Sequence, residues 1–233
     1  GDVLPELSTI DPASQQQIGY QTHDQQLAVE AILKVVHGHR RRPLVLSADR
    51  GRGKSASLGI AAAQLLLEGR QKVIVTASRL STVETLFEHA FRLLPDAKKS
   101  QGLIEFNQAE IRFMAVDLLI AQPQTTDLLL IDEAASIPAT LLGKLLDRYA
   151  RIVFATTLHG YEGTGRGFAL RFQKQLDLQT PSWQHCQMNT PIRWAENDAL
   201  EAFSFDSLLL NTRPVADDLI SDCQLEDCQF EKI

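Results

Sequence analysis

Apolar positions along the chain alternate between two spacings, and this alternation predicts the secondary structure. From Asp24 to Val36 the apolar residues recur at helical spacing, which is typical of an amphipathic helix. Short apolar runs bounded by polar residues predict buried strands at Leu44–Leu46, Lys72–Thr76, Ile111–Val116, Leu128–Ile131, Ile152–Thr156 and His185–Met188. The other predicted helices are Lys54–Leu67, which Gly69 ends, Thr82–Leu94, Ala139–Tyr149 and Ala195–Leu210.

Strands that alternate with helices and lack a polar face predict a parallel sheet covered on both sides. The expected fold is therefore α/β, a three-layer α/β/α sandwich with a mainly parallel sheet. Residues 1–20 are polar and carry two prolines, so we expect a linker or N-terminal extension there. Residues 21–210 are expected to form the domain, and residues 211–233 an acidic C-terminal segment.

Composition narrows the class of protein. Hydrophobic residues make up 44% of the chain and charged residues 22%, which is typical of a soluble α/β protein. No run of apolar residues is long enough to span a membrane, and the N-terminus lacks the pattern of a secretory signal. The three cysteines contain no CxxC pair, which favours neither a disulfide framework nor a zinc site. We expect a cytoplasmic protein without a membrane partner.

Charge is distributed unevenly along the sequence. The net charge of −6 argues against a free-standing nucleic-acid-binding protein, since such proteins are usually basic. Residues 37–54, however, contain five arginines and one lysine against a single aspartate, whereas residues 211–233 contain six carboxylates against two cations. A second interpretation therefore stays open, in which residues 37–54 form a local basic surface on a larger RNA-binding protein.

Residues 48–55, with the sequence ADRGRGKS, lie between a predicted strand and a predicted helix, which is the context of a Walker A phosphate loop. Gly51 and Gly53 allow backbone N–H groups to curl around phosphates. Lys54 is expected to reach the β- and γ-phosphates, and the Ser55 hydroxyl to bind Mg²⁺. Ala48 stands where the usual motif has its first glycine. This pattern predicts a P-loop nucleoside triphosphatase.

Two carboxylates follow the predicted strand Leu128–Ile131. Asp132 is expected to hold Mg²⁺ through water, and Glu133 to polarise the attacking water. An acidic pair after a strand also occurs as a helix N-cap, but a Walker A loop upstream favours the catalytic interpretation. Both motifs follow parallel strands, and open α/β sheets bind ligands at the carboxyl ends of their strands.

Three further residues are candidates for binding. The Gln25 amide carries both a donor and an acceptor for the edge of adenine, although it is equally consistent with an exposed residue at a helix start. Thr76 ends a predicted strand and is a candidate for contact with RNA phosphates. Arg166 lies in a run with four glycines among residues 160–167, whose N–H groups suit a phosphate. A glycine-rich surface hairpin is the alternative for that run.

Four motifs in this order, GRGKS, DEAASIP, GYEGTGRGF and PIRWA, resemble the ATPase module of the tRNA(Met) cytidine acetyltransferases over roughly residues 20–210. The resemblance implies a RecA-like P-loop fold, specifically a RecD-like helicase module, fused in the family to a C-terminal GNAT domain. The family uses acetyl-CoA and ATP or GTP to form N4-acetylcytidine at the wobble position of elongator tRNA(Met). The resemblance assigns nucleotide contacts to Gln25, Gly51, Arg52, Gly53, Lys54, Ser55, Ala56 and Arg193, and Asp132 joins these nucleotide-binding residues through Mg²⁺.

The resemblance makes Arg193 a candidate arginine finger beside the catalytic residues Lys54 and Glu133, since a guanidinium stabilises a transferring phosphoryl group. The acetyl-CoA signature R/Q-x-x-G-x-G/A does not occur in the sequence, so we expect the ATPase module without its GNAT domain. Two other functions stay open. One is a RecD-type nucleic-acid translocase, and the other is a nucleotide-gated scaffold with little turnover.

Overall fold

Strands and helices alternate through the part of the chain that the structure describes. The computed structural model describes residues 20–157 and 164–192, with side chains from residue 172 onward in the second range. The strands are β1 Leu44–Ala48, β2 Lys72–Thr76, β3 Lys98–Ser100, β4 Leu103–Phe106, β5 Ala109–Phe113, β6 Leu128–Ile131, β7 Ile152–Thr157 and β8 Gln184–Met188. The helices are α1 His23–His37, α2 Lys54–Leu67, α3 Glu84–Leu93, α4 Val116–Ala121, α5 Ala139–Arg148 and α6 Thr164–Gln179.

The strands form one sheet in the order β3-β4-β5-β2-β6-β7-β1-β8. From β5 to β8 all neighbours in this order run parallel, whereas β3 and β4 form an antiparallel extension at one edge. The predicted α/β class with a mainly parallel sheet is therefore confirmed. Strand β7 lies between β1 and β6, so the two motif-bearing strands are second neighbours.

Helices cover both faces of the sheet and complete the predicted three layers. Successive side chains of β6 point to opposite faces. Leu128 and Leu130 join the core that packs under α1, α2 and α3. Leu129 and Ile131 join the core on the other face, which contains residues of α4, α5 and α6. None of the described helices combines the length and apolar character that a membrane crossing requires.

Local interactions fix where α1 begins and ends. The Thr22 hydroxyl accepts a hydrogen bond from the Gln25 backbone N–H at 3.2 Å, which caps the helix. Asp24 in the first turn complements the positive end of the helix dipole. At the other end, His37 is the last helical residue and Gly38 follows. The predicted helix from Asp24 to Val36 is confirmed within one residue at each end.

Several elements differ from the sequence-based expectation. A 3₁₀ turn at Leu80–Val83 replaces the start of the predicted helix at Thr82. The chain leaves β5 at Phe113, and Val116 begins α4 rather than ending a strand. The β3–β4 extension, α4 and α6 were not predicted; α6 begins inside the glycine-rich run that was expected to be a loop. The predicted helix Ala195–Leu210 lies outside the described residues.

Candidate nucleotide-binding site

The loop between β1 and α2 has the backbone shape that phosphate binding needs. Gly51 and Gly53 have φ values of 80° and 83°, in the left-handed region that favours glycine. Gly53 is also the N-cap of α2, and no described side chain caps this helix. The first turn of α2 therefore keeps its N–H groups and the positive end of its dipole available for an anion.

An ion pair between Lys54 and Asp132 forms the centre of the site. The Lys54 ammonium donates hydrogen bonds to Asp132 Oδ1 at 2.9 Å and to Glu133 Oε1 at 3.2 Å. The Ser55 hydroxyl donates to Asp132 Oδ2 at 2.7 Å, and the Glu133 backbone N–H donates to Asp132 Oδ1 at 2.9 Å. The Lys54 side chain is 7% exposed and that of Asp132 is 0% exposed. The fold thus brings together the residues of both predicted motifs.

The surroundings of Lys54 keep it charged. Burial alone lowers the pKa of a lysine, because it removes water from the ammonium. Coulombic attraction by Asp132 and Glu133, together with the hydrogen bonds to both carboxylates, outweighs burial and raises the pKa of Lys54 above its ordinary value. Lys54 is therefore an ammonium at neutral pH, next to two carboxylates.

Two side-chain oxygens, from Ser55 in α2 and from Asp132 after β6, are of the type that suits Mg²⁺. The Ser55 hydroxyl and the Asp132 carboxylate are hard oxygen ligands, the type that Mg²⁺ prefers. Among the described residues, no group of three or more His, Cys, Asp or Glu is arranged to hold a metal ion. A Mg²⁺ ion that has only one or two protein oxygens would take its other ligands from phosphate oxygens and waters.

Glu133 is held from a second strand. Its backbone adopts φ 50°, a left-handed conformation that costs a non-glycine residue about 1–2 kcal/mol. The Thr157 hydroxyl, at the end of β7, lies 3.2 Å from Glu133 Oε1 and 3.3 Å from Oε2 and donates to this carboxylate. Sequence analysis missed this role of Thr157. The usable signal was its position at the end of a strand, since all such ends meet at one edge of the sheet.

A cavity of about 450 Å³ opens at this edge of the sheet. Its size falls in the range of small-molecule sites. The predicted residues Gly51, Arg52, Gly53, Lys54, Ser55, Ala56 and Glu133 line it, and so do Gln21, Asp49, Arg50, Thr85, His89, Thr157 and Ile192. The phosphate loop and the predicted catalytic carboxylate therefore face the same space, at the carboxyl ends of β1 and β6.

Gln25 occupies a different position from the one expected. Its side chain is 1% exposed and does not belong to the cavity wall, whereas Gln21 does. Its Oε1 accepts a hydrogen bond from the Gln21 backbone N–H at 2.7 Å, and its amide nitrogen lies against Gly53. In this arrangement the Gln25 amide packs under the phosphate loop, which it therefore supports. Its contact with adenine stays a prediction.

The chain after β8 is fastened to the same loop. One carboxylate oxygen of Asp24 accepts hydrogen bonds from the backbone N–H groups of Asn189 and Thr190, at 2.7 and 2.8 Å. Two residues later, the Ile192 N–H donates to the Gly51 carbonyl at 3.1 Å. Sequence analysis missed the function of Asp24, because its partners are more than 160 positions away.

The remaining predicted residues are placed as follows. Thr76 is fully buried, and its carbonyl accepts a hydrogen bond from the Asp132 N–H at 2.9 Å. The Thr76 hydroxyl does not reach the surface in this arrangement, and its contact with RNA phosphates stays a prediction. Arg166 lies in the first turn of α6, in the part whose side chains are not described. Arg193 lies outside the described residues.

Comparisons with known proteins place the chain in a family. The family model for the helicase domain of the RNA cytidine acetyltransferase NAT10/TcmA matches residues 45–211. The chain is 48% identical to the tRNA(Met) cytidine acetyltransferase TmcA of Nitrosococcus halophilus (strain Nc4), over 100% of this chain and 32% of that protein. It is 46% identical to the protein of the same name from Vibrio cholerae, over 90% of this chain and 30% of that protein.

The similarity in sequence covers only part of each relative, and the chain spans about a third of the length of these curated relatives. Among solved structures, the large terminase ATPase domain of Thermus phage P74-26 matches 76% of this chain and 84% of its own, with 17% identity and a TM-score of 0.48. The family model covers most of this chain, including both nucleotide motifs. The chain belongs to the NAT10/TcmA family of RNA cytidine acetyltransferases, in which it corresponds to the helicase domain.

Proposed function

We propose that this chain binds a nucleoside triphosphate, ATP or GTP, together with Mg²⁺ and hydrolyses it. The observation that carries this proposal is that Lys54, Ser55 and Glu133 line a cavity beside an uncapped helix N-terminus, with the buried Asp132 bonded to Lys54 and Ser55 behind them. A generic ion pair has no need of a glycine loop with two left-handed residues. Phosphate binding needs both features.

Nucleotide binding on this proposal involves an exchange of partners by Lys54. The ammonium leaves the carboxylates, which lie 2.9 and 3.2 Å away, for the β- and γ-phosphates. Ser55 would bind the Mg²⁺ that accompanies the nucleotide, and Asp132 would hold the ion through water; the ion would offset the negative charge of the phosphates.

Hydrolysis follows from the same exchange. Once Lys54 has moved to the phosphates, Glu133 Oε1 is released to accept a proton from water, while Thr157 still orients the carboxylate. The water oxygen bonds to the γ-phosphorus, and the bond from that phosphorus to the β,γ-bridging oxygen breaks. The products are a nucleoside diphosphate and inorganic phosphate, with the displaced proton on Glu133.

Arg193 supplies the remaining positive charge in this proposal. It follows Ile192 directly, and Ile192 is bonded to the phosphate loop and lines the cavity. A fixed guanidinium near the γ-phosphate stabilises the charge that spreads over the transferring phosphoryl group. An arginine at position 193 that contacts the nucleotide also links the nucleotide to the chain that follows Ile192.

In the intact protein, we propose that this domain serves the acetylation of tRNA. The relatives are named tRNA(Met) cytidine acetyltransferases, and they are about three times as long as this chain. The proposed reaction transfers an acetyl group from acetyl-CoA to the wobble cytidine of elongator tRNA(Met), in the cytoplasm, with a C-terminal GNAT domain as the transferase. Residues 21–210 are the proposed ATPase domain, and residues 211–233 lead to the next domain.

A ligand-induced shift in stability tests nucleotide binding without any other domain. A ligand that binds only the folded state at about 100 times its dissociation constant adds about 2.7 kcal/mol of stability. We therefore expect ATP with Mg²⁺ to raise the melting temperature of this chain, and Lys54→Ala to abolish the increase. The same unfolding temperature with and without nucleotide in the unmodified protein would exclude the proposal.

A further inference from the structure

A basic patch lies at the end of the sheet opposite to the nucleotide site. It consists of Lys34 in the last turn of α1 and of His39, Arg40, Arg41 and Arg42 in the connection to β1. All five side chains are exposed. Four of them carry a permanent positive charge at pH 7, in a chain whose net charge is −6. The patch is therefore positively charged, whereas the chain as a whole is negatively charged.

The backbone that carries the patch is fixed at three points. The Arg41 N–H donates a hydrogen bond to the Ala150 carbonyl at 2.8 Å, which holds the residue in a left-handed conformation with φ 61°. The Arg151 guanidinium donates to the Val36 carbonyl at 2.9 Å. The Gln184 N–H donates to the Pro43 carbonyl at 2.8 Å. These bonds tie the connection to β7 and β8, so the cations are presented on a defined surface.

The cations of the patch have no ion-pair partner among the described residues. These cations are Lys34, Arg40, Arg41 and Arg42. Of two carboxylates near the patch, Glu68 is 2.7 Å from the His37 imidazole and pairs with it. Glu30, one helical turn before Lys34, accepts a hydrogen bond from the Gln26 amide at 3.0 Å. Like charges at close range repel each other and oppose folding. A partner with negative charge is the ordinary reason for such an arrangement.

The patch is too far from the phosphate loop to serve the nucleotide. The phosphate loop follows the carboxyl end of β1, whereas the patch precedes its amino end. Five residues of strand span about 17 Å. A triphosphate held by Lys54 does not reach that far. The basic patch is therefore a separate site for a separate anion.

We propose that the basic patch binds the phosphate backbone of an RNA strand. A cavity of about 310 Å³ at its centre is lined by Lys34, His39, Arg42 and Gln184, among others, and accommodates one phosphate with its ribose. Arg40 and Arg41, just beside it, contact the neighbouring phosphates. Arginine suits this role, because its planar fork of donors matches the oxygens of a phosphate. The Gln184 amide offers a donor and an acceptor to a ribose hydroxyl.

The choice of RNA rests on the proposed function in one respect, namely that the intact protein acts on tRNA. An acidic protein segment is the alternative partner of equal charge. The phosphates of RNA follow one another at a regular spacing, and three consecutive arginines beside the cavity suit that arrangement. An acidic protein segment lacks this regular spacing of singly charged groups. The experiment below separates the two partners.

The experiment measures binding of a fluorescent tRNA to the full 233-residue chain by anisotropy, from about 50 to 200 mM salt. The patch variant carries Arg40→Gln, Arg41→Asn and Arg42→Gln, since asparagine tolerates the left-handed backbone at position 41. The control variant carries Arg92→Gln, Lys98→Gln and Lys144→Gln, three exposed cations elsewhere on the domain. Both variants lose the same charge. Nucleotide hydrolysis is measured in parallel.

Each phosphate contact contributes about −0.7 to −0.9 to the slope of log affinity against log salt. The patch variant is expected to lose about two units of slope and at least tenfold in affinity at 100 mM salt. The control variant is expected to stay within about twofold, and hydrolysis to be unchanged in both. Equal losses in the two variants, no tRNA binding by the unmodified chain at 50 mM salt, or equally strong competition by polyglutamate would each overturn the proposal. Because hydrolysis is a separate readout, a failure of the proposed ATPase function is recognised independently.

Discussion

Replacing Lys54 with methionine tests the electrostatics of the site directly. Methionine keeps much of the length and apolar volume of the side chain and removes only the charge. The variant leaves the Asp132 carboxylate, which is 0% exposed, with two remaining hydrogen bonds, from the Ser55 hydroxyl and the Glu133 N–H. Breaking a buried ion pair on one side costs about 3–5 kcal/mol. Because two donors remain, we expect about 3 kcal/mol of lost stability.

A second ion pair in the chain provides the control. Lys72 Nζ lies 3.1 Å from Glu110 Oε1, but the two side chains are 26% and 22% exposed, so water screens the pair. Lys72→Met should cost no more than about 1 kcal/mol. Urea unfolding without nucleotide measures both free energies. Combining Lys54→Met with Asp132→Asn should restore about 2 kcal/mol relative to the sum of the single variants.

The pH dependence of the same contribution has a defined sign. The pKa of Lys54 is raised by its carboxylate partners in the folded state, so its stabilisation is fully present below the unfolded-state pKa of about 10.4. It is lost as the pH rises through the folded-state value. The stability difference between the unmodified chain and Lys54→Met should therefore be constant up to about pH 10 and then shrink. A cost for Lys54→Met equal to that for Lys72→Met would refute the reasoning.

Three further substitutions probe the parts around this centre. Arg193→Ala should slow hydrolysis, by up to about 10³–10⁵-fold if Arg193 is a full arginine finger, whereas Arg166→Ala should not. The reverse pattern in turnover assays would assign this role to Arg166 in the glycine-rich run. Gly53→Ala combines left-handed strain with a collision against neighbouring side chains, so it should cost clearly more in urea unfolding than Gly69→Ala, whose methyl group meets nothing. Burial tends to raise the pKa of Asp24, but its hydrogen bonds to the chain after β8 outweigh this and lower the pKa. The contribution of Asp24 to the free energy of unfolding is therefore fully present above about pH 3.9 and is lost as the pH falls further. Unfolding measured from pH 2 to 6 should show that Asp24→Ala loses less stability on acidification than the unmodified chain does.

The sequence predicted the centre of the site because its signals are local. The phosphate loop and the pair Asp132–Glu133 each lie within a few residues of a strand end, so pattern and position coincide. The strand Leu128–Ile131 and the helix Lys54–Leu67 were predicted with the bounds that the structure has. Buried apolar runs and a glycine-rich start leave little choice for such segments.

The features that sequence analysis missed depend on distant partners. Thr157 reaches Glu133 only because β6 and β7 pair in one register, which no local pattern reveals. Gln25 packs against Gly53 of the phosphate loop, and the chain around Ile192, far along the sequence, returns to the same loop. Helix α6 begins in a glycine-rich run, where the low helix propensity of glycine favours a loop. The later turns of α6 join the same core as α5, and this packing stabilises the helix. In each case the observed arrangement depends on contacts between residues that are distant in sequence.

The measurement that tests the central claim most directly is turnover of ATP by Glu133→Gln. An amide keeps the shape of the side chain but does not accept a proton, and a general base typically contributes about 10²–10⁴-fold to the rate. We expect the unmodified chain to hydrolyse ATP with Mg²⁺ and Glu133→Gln to lose at least a hundredfold in rate, while the thermal shift with ATP stays. Glu110→Gln, a carboxylate outside the cavity wall, should keep normal turnover. Unchanged hydrolysis by Glu133→Gln would contradict the assignment of this site as the ATPase centre.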